Sequence, residues 1–283
     1  MPVFSVEMTI ALLPEIGLSI LAFALLVISL LRNEKLNAYL EWITAAGFVL
    51  IAVLVISFAR PSADPQLLWG EMIRFDQAGF IFRLLILAGG ALTAVFAMTE
   101  VSLSSKAEFS LLLVLSSIGL SLMVSSGNLI MLYLAIETAT IPLYVMAGFK
   151  QADSKSVESG IKYFLFGGIS SALLLYGFTL LYGFAGTTRL YGMVEAMQRN
   201  GAPATGVILA SILVLAGFTF KISAVPFHFW APDVYEGSPT PVAGFLSTVS
   251  KAAAFAALIR VLVNAFGVGA SDAWMVIIAI IAA

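Results

Sequence analysis

The sequence predicts an all-α integral membrane protein of about eight or nine transmembrane helices, the seventh of them discontinuous. Three observations carry this. Of 283 residues, 61% are hydrophobic and 11% charged, where a soluble domain has roughly 25% charged; mean hydropathy is +1.05. The apolar residues fall in runs of about 20, the length that crosses a hydrocarbon core. One run breaks at Ala224-Val225-Pro226 while its surroundings are still apolar, and a broken helix at membrane depth is tolerated only when buried in protein or lining a cavity.

Composition also excludes function classes. A net charge of −2 gives no footprint for nucleic acid. With no cysteine there is no disulfide, thiolate-held iron–sulfur cluster or redox thiol, and one histidine is too few for a haem or transition-metal site. Redox chemistry linked to this chain must therefore lie on another subunit. The N-terminus lacks the basic region of a cleaved signal peptide, and its first apolar run is long enough to span.

Span one, about Ile10–Leu31, starts beside Pro14, which suits a first helical turn; the charged stretch Arg32–Lys35 ends it. Span two is about Tyr39–Ala59, followed by a polar loop over Arg60–Gln77. Span three, about Ala78–Met98, carries Arg83, read as snorkelling to the interface. After a polar loop over Glu100–Glu108 comes span four, about Phe109–Ser125, closed by the turn Ser125-Ser126-Gly127-Asn128. Span five is about Leu129–Phe149. Lys150–Ser159 reads as a loop, and span six as about Gly160–Phe184. Ala185–Thr205 is a loop with a short interfacial helix over Tyr191–Arg199. Span seven runs from Gly206 to the break, with a second half-helix over about Phe227–Tyr235. Asp233–Pro241 reads as a loop, since Glu-Gly-Ser-Pro-Thr-Pro is a strong breaker. Span eight is about Val242–Phe266, and span nine begins near Trp274 and is still apolar at Ala283, as expected of a piece of a longer protein. Loop charges only narrowly favour an outside N-terminus.

An ionisable residue inside a span is costly and by default functional. Glu137 lies about 12 Å into span five at 1.5 Å per residue, too deep for so short a side chain to reach water. The alternative is a structural carboxylate bonded to a neighbouring helix. Lys251 lies about 14 Å into span eight, beside Ala252-Ala253-Ala254, small residues that permit close helix approach. Lys221 precedes the break; Pro226 has no N–H, so the carbonyl of Ile222 loses its helical partner. A lysine facing headgroups is the alternative there. Lys162, near the start of span six, is equally compatible with snorkelling. His228 could titrate or orient water, or simply be hydrogen-bonded among Phe227, Phe229 and Trp230. Arg260 reads as a span-end anchor. One acid and two or three lysines on neighbouring spans point to ion translocation, and by themselves do not identify proton over sodium. If hydrated, they make a proton relay through charge coupling, in which an ammonium is favoured while Glu137 stays close and yields its proton when the pair separates.

At these residues the sequence resembles the antiporter-like membrane subunits of proton-pumping NADH:quinone oxidoreductase (complex I), and among them the subunit N (subunit 2) group. The carrying motifs are Asn128-Leu-Ile-Met-Leu-Tyr-Leu-Ala-Ile-Glu137, Gly160-Ile-Lys-Tyr-Phe-Leu165 and, most specific, Val225-Pro-Phe-His-Phe-Trp-Ala-Pro-Asp-Val-Tyr-Glu-Gly-Ser-Pro-Thr-Pro241. The resemblance is good over about Leu111–Arg260 and loose before it. It implies that Glu137, Lys162, Lys221 and Lys251 occupy the family's relay positions. The reading of the site is Glu137 with Lys221 (or Lys162) as the switching pair, Lys251 continuing the relay, and His228, by its place in the broken segment, assisting hydration. It implies a multi-pass protein of the cell inner (plasma) membrane with other complex I membrane subunits, the lipid bilayer and protons as partners. NADH, FMN, iron–sulfur clusters and a quinone would be held by other subunits, with no cofactor on this chain. The family is built from two inverted repeats, a common transporter design. The expected division is therefore 1–108 for spans one to three, 109–266 for the first antiporter-like repeat, and 267–283 for the start of helix nine, with the second repeat absent. A subunit of a multisubunit cation/proton antiporter or membrane-bound hydrogenase is the alternative within the same architecture. A non-transporting membrane scaffold is the alternative from another class.

Overall fold

The computed structural model describes residues 5–31, 39–100, 106–266 and 279. Among them, eight helices are long and apolar enough to cross a membrane. A short α1 (Val6–Ala11) leads into α2 (Leu13–Leu30) and is followed by α3 (Leu40–Phe58). A hairpin of β1 (Gln66–Leu68) and β2 (Ile73–Phe75) precedes α4 (Gln77–Thr99), α5 (Lys106–Val124) and α6 (Leu129–Ala147). Then come α7 (Ser154–Ala185), α8 (Met193–Arg199), α9 (Ala204–Ile222), α10 (Trp230–Gly237) and α11 (Thr240–Phe245). The last span continues through a π-helical segment, Leu246–Ser250, into α12 (Lys251–Val261) and a second π segment, Leu262–Phe266.

Local chemistry sets the helix starts. Asp76 accepts from the Gly79 amide at 2.8 Å to open α4, and Asn128 accepts from Met131 at 2.7 Å to open α6. Each satisfies an orphan amide of the first turn. At the other end, α7 closes on Gly186 in the left-handed conformation.

The helix α5 is the centre, packed on α2, α3, α4, α6 and α12, and 61% of its apolar window is buried against 33% for α2. Its contact with α6 is close because of Gly119: a Cβ there would lie 2.6 Å from the Ala139 Cα.

The structure moves several sequence-derived boundaries. The loop over Arg60–Gln77 contains the hairpin, registered Gln66↔Phe75, Leu67↔Arg74 and Leu68↔Ile73. It docks on the α5–α6 turn, where Arg74 N donates to the Ser125 carbonyl and Gly127 N to that of Met72, both at 2.7 Å. Much of the loop expected at Lys150–Ser159 is helical, because Asp153 caps α7 from Ser154. The expected loop at Asp233–Pro241 is mostly helix too. Pro232 falls in the first turn of α10, where a missing N–H costs little, and the half-helix begins at Trp230 rather than Phe227 and runs to Gly237. The short helix expected over Tyr191–Arg199 is Met193–Arg199. The expected charged loop Arg32–Lys35 and the ninth span near Trp274 lie outside the described residues.

Arg83 is the clearest correction. It does not snorkel; it is 3% exposed. Its guanidinium donates to Glu15 Oε1 at 2.7 Å, to the Ala11 carbonyl at 2.9 Å and to Ser125 Oγ at 3.0 Å. Ser121 adds a hydrogen bond to the same Glu15 oxygen at 2.6 Å. A carboxylate on α2 and hydroxyls on α5 hold the charge inside the bundle, so it has no need to reach an interface.

Candidate functional site

The site is organised by the way α9 stops. Ser223 takes a left-handed conformation, φ 56° and ψ 43°, and the Ala224 amide turns back to the Thr219 carbonyl at 2.8 Å. Lys221 sits in that last turn. It is 8% exposed, and its Nζ is buried with no hydrogen-bond partner among the described residues. Two rings line it, Phe220 at 5.8 Å and Tyr144 at 6.0 Å from Nζ to centroid. The second ring comes from α6, the helix that carries Glu137. Glu137 Oε1 is also buried without a hydrogen-bond partner among the described residues, and its charge acts on Lys221. The pair is thus in electrostatic reach but not locked in a closed salt bridge, which leaves both groups free to exchange a partner or a proton.

Lys251 reaches the same break from the other side. It is the first residue of α12, directly after a π segment, an irregularity common at functional sites. Its Nζ donates to Ser223 Oγ at 2.5 Å and lies 5.6 Å from the Trp230 centroid and 5.7 Å from that of Tyr235. Trp230, on α10, stacks on Tyr163 of α7 (4.7 Å, 9°) and on Phe220 of α9 (4.8 Å, 28°). One aromatic stack therefore joins the surroundings of Lys221 to those of Lys251, and Ser223 stands between the two lysines in the chain.

Lys162 and His228 are placed differently. Lys162 pairs with Glu158 at 2.6 Å and with Asp233 of α10 at 2.5 Å, and 34% of its side chain is exposed. It lines a cleft of about 210 Å³ with Lys155, Glu158, Ser159, Asp233 and Glu236. There it ties the broken half-helix to α7, as does Lys155 with Glu236 at 2.6 Å. His228 is exposed, and the structure does not gather its ring into the Glu137–Lys221–Lys251 group.

Reading spans one at a time missed two buried clusters. The first is Arg83–Glu15. The second joins Arg260, at the far end of α12, to Asp76, the cap of α4, in a two-pronged pair at 2.6 and 2.7 Å. Arg260 is thus an anchor into protein rather than to headgroups. Burial raises the Asp76 carboxyl, but the hydrogen bonds and charge of Arg260, with the Gly79 amide and Arg74, outweigh it and hold the group below its ordinary value. The available signal was an arginine inside each of two apolar runs, α4 and α12, together with acids at the starts of α2 and α4. Among the described residues no group of His, Cys, Asp or Glu could hold a metal ion.

Fold and site together define the class: a polytopic helical membrane protein with buried ionisable side chains converging on a broken helix. Residues 126–283, more than half of the chain, match the family described as NADH:quinone oxidoreductase/Mrp antiporter, TM, and the chain belongs to that family. Among curated relatives, the NADH-quinone oxidoreductase subunit N of Moorella thermoacetica is 43% identical over 253 residues, 89% of this chain and 52% of the relative. The subunit N of Rhodospirillum rubrum is 37% identical over 271 residues, 95% of this chain and 55% of the relative. The chain thus spans about half the length of the curated relatives it matches. Among solved structures, respiratory complex I from Thermus thermophilus with bound aureothin contains a similar chain. It is 32% identical with TM-score 0.73, the match covering 87% of this chain and 52% of that one. The fold also recurs in an archaeal membrane-bound sulfane sulfur reductase, with TM-score 0.83 at 22% identity, covering 97% of this chain and 57% of that one.

Proposed function

We propose that the chain is part of a proton-translocating membrane subunit of NADH:quinone oxidoreductase, moving protons through a buried Glu/Lys relay coupled to quinone reduction on other subunits. The observation that carries this reading is the convergence at Ser223. Lys221 Nζ and one carboxylate oxygen of Glu137 are buried without a hydrogen-bond partner among the described residues, and Lys251 hydrogen-bonds to the residue that ends the broken helix. Glu137 and Lys221 are the switching pair. When they approach, the ammonium is favoured; when they part, the lysine releases its proton toward Lys251. Lys162 supplies charge through its link to α10, and His228 assists hydration beside the break. Residues 109–266 form the first antiporter-like repeat and 1–108 the three preceding helices. NADH, FMN, iron–sulfur clusters and quinone belong to partner subunits in the same plasma membrane.

The test is translocation by the assembled complex in vesicles. Lys221→Ala or Glu137→Ala is expected to lower proton pumping and coupled quinone reduction while assembly persists. Wild-type pumping in both assembled variants would sink the relay. A cation/proton antiporter subunit is the second reading, because the matched family spans both kinds of protein. Sodium-dependent proton exchange that does not respond to NADH would favour it.

A further inference from the structure

The segment α12 is a regular α-helical rod held between two π-helical segments, Leu246–Ser250 and Leu262–Phe266. Lys251 is its first residue and Arg260 its last but one, about 14 Å apart along the axis at 1.5 Å per residue. Its buried middle is largely alanine: Ala253, Ala254, Ala256 and Ala257. Small side chains allow close approach but interlock only shallowly with their neighbours. π segments on both sides can take up a change of register that a continuous α-helix would resist. What fixes the rod along its axis is therefore polar and sits at its ends.

At one end the tether is the single hydrogen bond from Lys251 to Ser223. At the other, Arg260 uses all three of its guanidinium nitrogens. Nε donates to the Val124 carbonyl at 2.8 Å, Nη1 to Asp76 Oδ2 at 2.7 Å and to Tyr191 Oη at 2.9 Å, and Nη2 to Asp76 Oδ1 at 2.6 Å. These partners cap α4, end α5 and precede α8, so the fork grips three separate parts of the bundle. Arg74 backs it, 2.9 Å from Asp76 and with its guanidinium 3.9 Å over the Tyr191 ring. A planar two-pronged pair fixes orientation as well as distance.

We infer that Arg260 is a positioning residue: its pair with Asp76 is a latch that sets the axial register of α12 and thereby holds Lys251 against Ser223 at the break. The functional weight of this latch rests on the relay reading of Lys251; the mechanical claim does not.

Amide hydrogen exchange on the full-length subunit in its membrane assembly tests it, read over residues 246–251, with α6 around Glu137 as internal control. Arg260→Gln is expected to speed exchange over 246–251 by at least about tenfold while the control stays unchanged. Asp76→Asn keeps the helix cap and removes only the ion pair; it should loosen the same residues by less. The double variant should be no looser than Arg260→Gln alone, because the two groups act as one unit. Unchanged exchange over 246–251 in assembled Arg260→Gln or Asp76→Asn overturns the latch, as do additive effects or loosening spread equally into α6. Should Arg260→Gln fail to assemble, Arg260→Lys and Asp76→Asn give the same decision, with Arg260→Lys recovering part of the protection. If 246–251 loosens as expected while translocation keeps its wild-type rate and pH profile, the latch stands and the assignment of Lys251 to the relay fails.

Discussion

Two arginines show how individual residues hold this bundle together. Arg83 and Glu15 are 3% and 6% exposed, so each depends on the other for the solvation that water would supply outside. Removing one partner of a buried pair costs about 3–5 kcal/mol, and replacing both by apolar side chains is often neutral. Arg83→Leu is therefore expected to lower the unfolding midpoint of the purified protein sharply in detergent, and Glu15→Leu/Arg83→Leu to recover most of the loss. A double variant as unstable as the single one would show that the pair does more than neutralise itself. Asp76 makes a pH prediction. Its folded carboxyl is held below the unfolded value by Arg260, the Gly79 amide and Arg74 against the cost of burial, with Tyr191 beside it. Its stabilising contribution is thus full above the unfolded aspartate range, about pH 3.9, and fades as pH falls through the lower folded value. Asp76→Asn should flatten the acid limb of a stability–pH profile; an unchanged limb would refute this. The deep charges were legible in the sequence because an ionisable residue inside an apolar run stands out. Their partners were not: Arg83 and Glu15 are 68 residues apart, and Arg260 and Asp76 are 184 apart.

The helical elements were mostly legible, since length and hydropathy fix a span, and proline at Pro226 marked the break in advance. The hairpin was not, because three-residue strands carry too little pattern to separate from loop. The extent of α10 was also hidden, because what stabilises it is contact with α7 rather than its own composition. That contact is close: a Cβ on Gly237 would lie 2.8 Å from the Ser159 Cβ and would also run into the Lys155 carbonyl. Ser159 Oγ meanwhile donates to the Val234 carbonyl at 3.0 Å. Gly237→Val should therefore lift α10 from α7, with Trp230 and Tyr235 leaving the surroundings of Lys251. Limited proteolysis is expected to cut the variant between Ala224 and Ser238 faster than the wild-type chain. Equal resistance would show that the salt bridges of Lys155 and Lys162 hold the half-helix by themselves.

Across the whole molecule, ionisable groups lie in two kinds of surroundings. Lys155 and Lys162 pair with acids at a partly open cleft, where added salt screens them. Lys221 Nζ and one Glu137 oxygen are buried inside the bundle, where screening is weak, and neither atom has a hydrogen-bond partner among the described residues. If the inner pair is one switch, its members cannot contribute independently to translocation. Glu137→Gln leaves Lys221 without its counter-charge, and Lys221→Met leaves Glu137 without its own. Removing both abolishes only the function that either loss has already abolished. A double-mutant cycle on proton uptake by vesicles holding the assembled complex should therefore be strongly non-additive, the double variant pumping about as well as the worse single one. Repeating the cycle at raised ionic strength should leave that coupling in place, because the pair lies away from mobile ions. The ties of α10 to α7 should weaken under the same conditions, seen as easier cleavage between Ala224 and Ser238. Multiplicative losses would mean that Glu137 and Lys221 serve separate steps. A coupling that disappears with salt would place the pair in water, against the burial on which the relay depends.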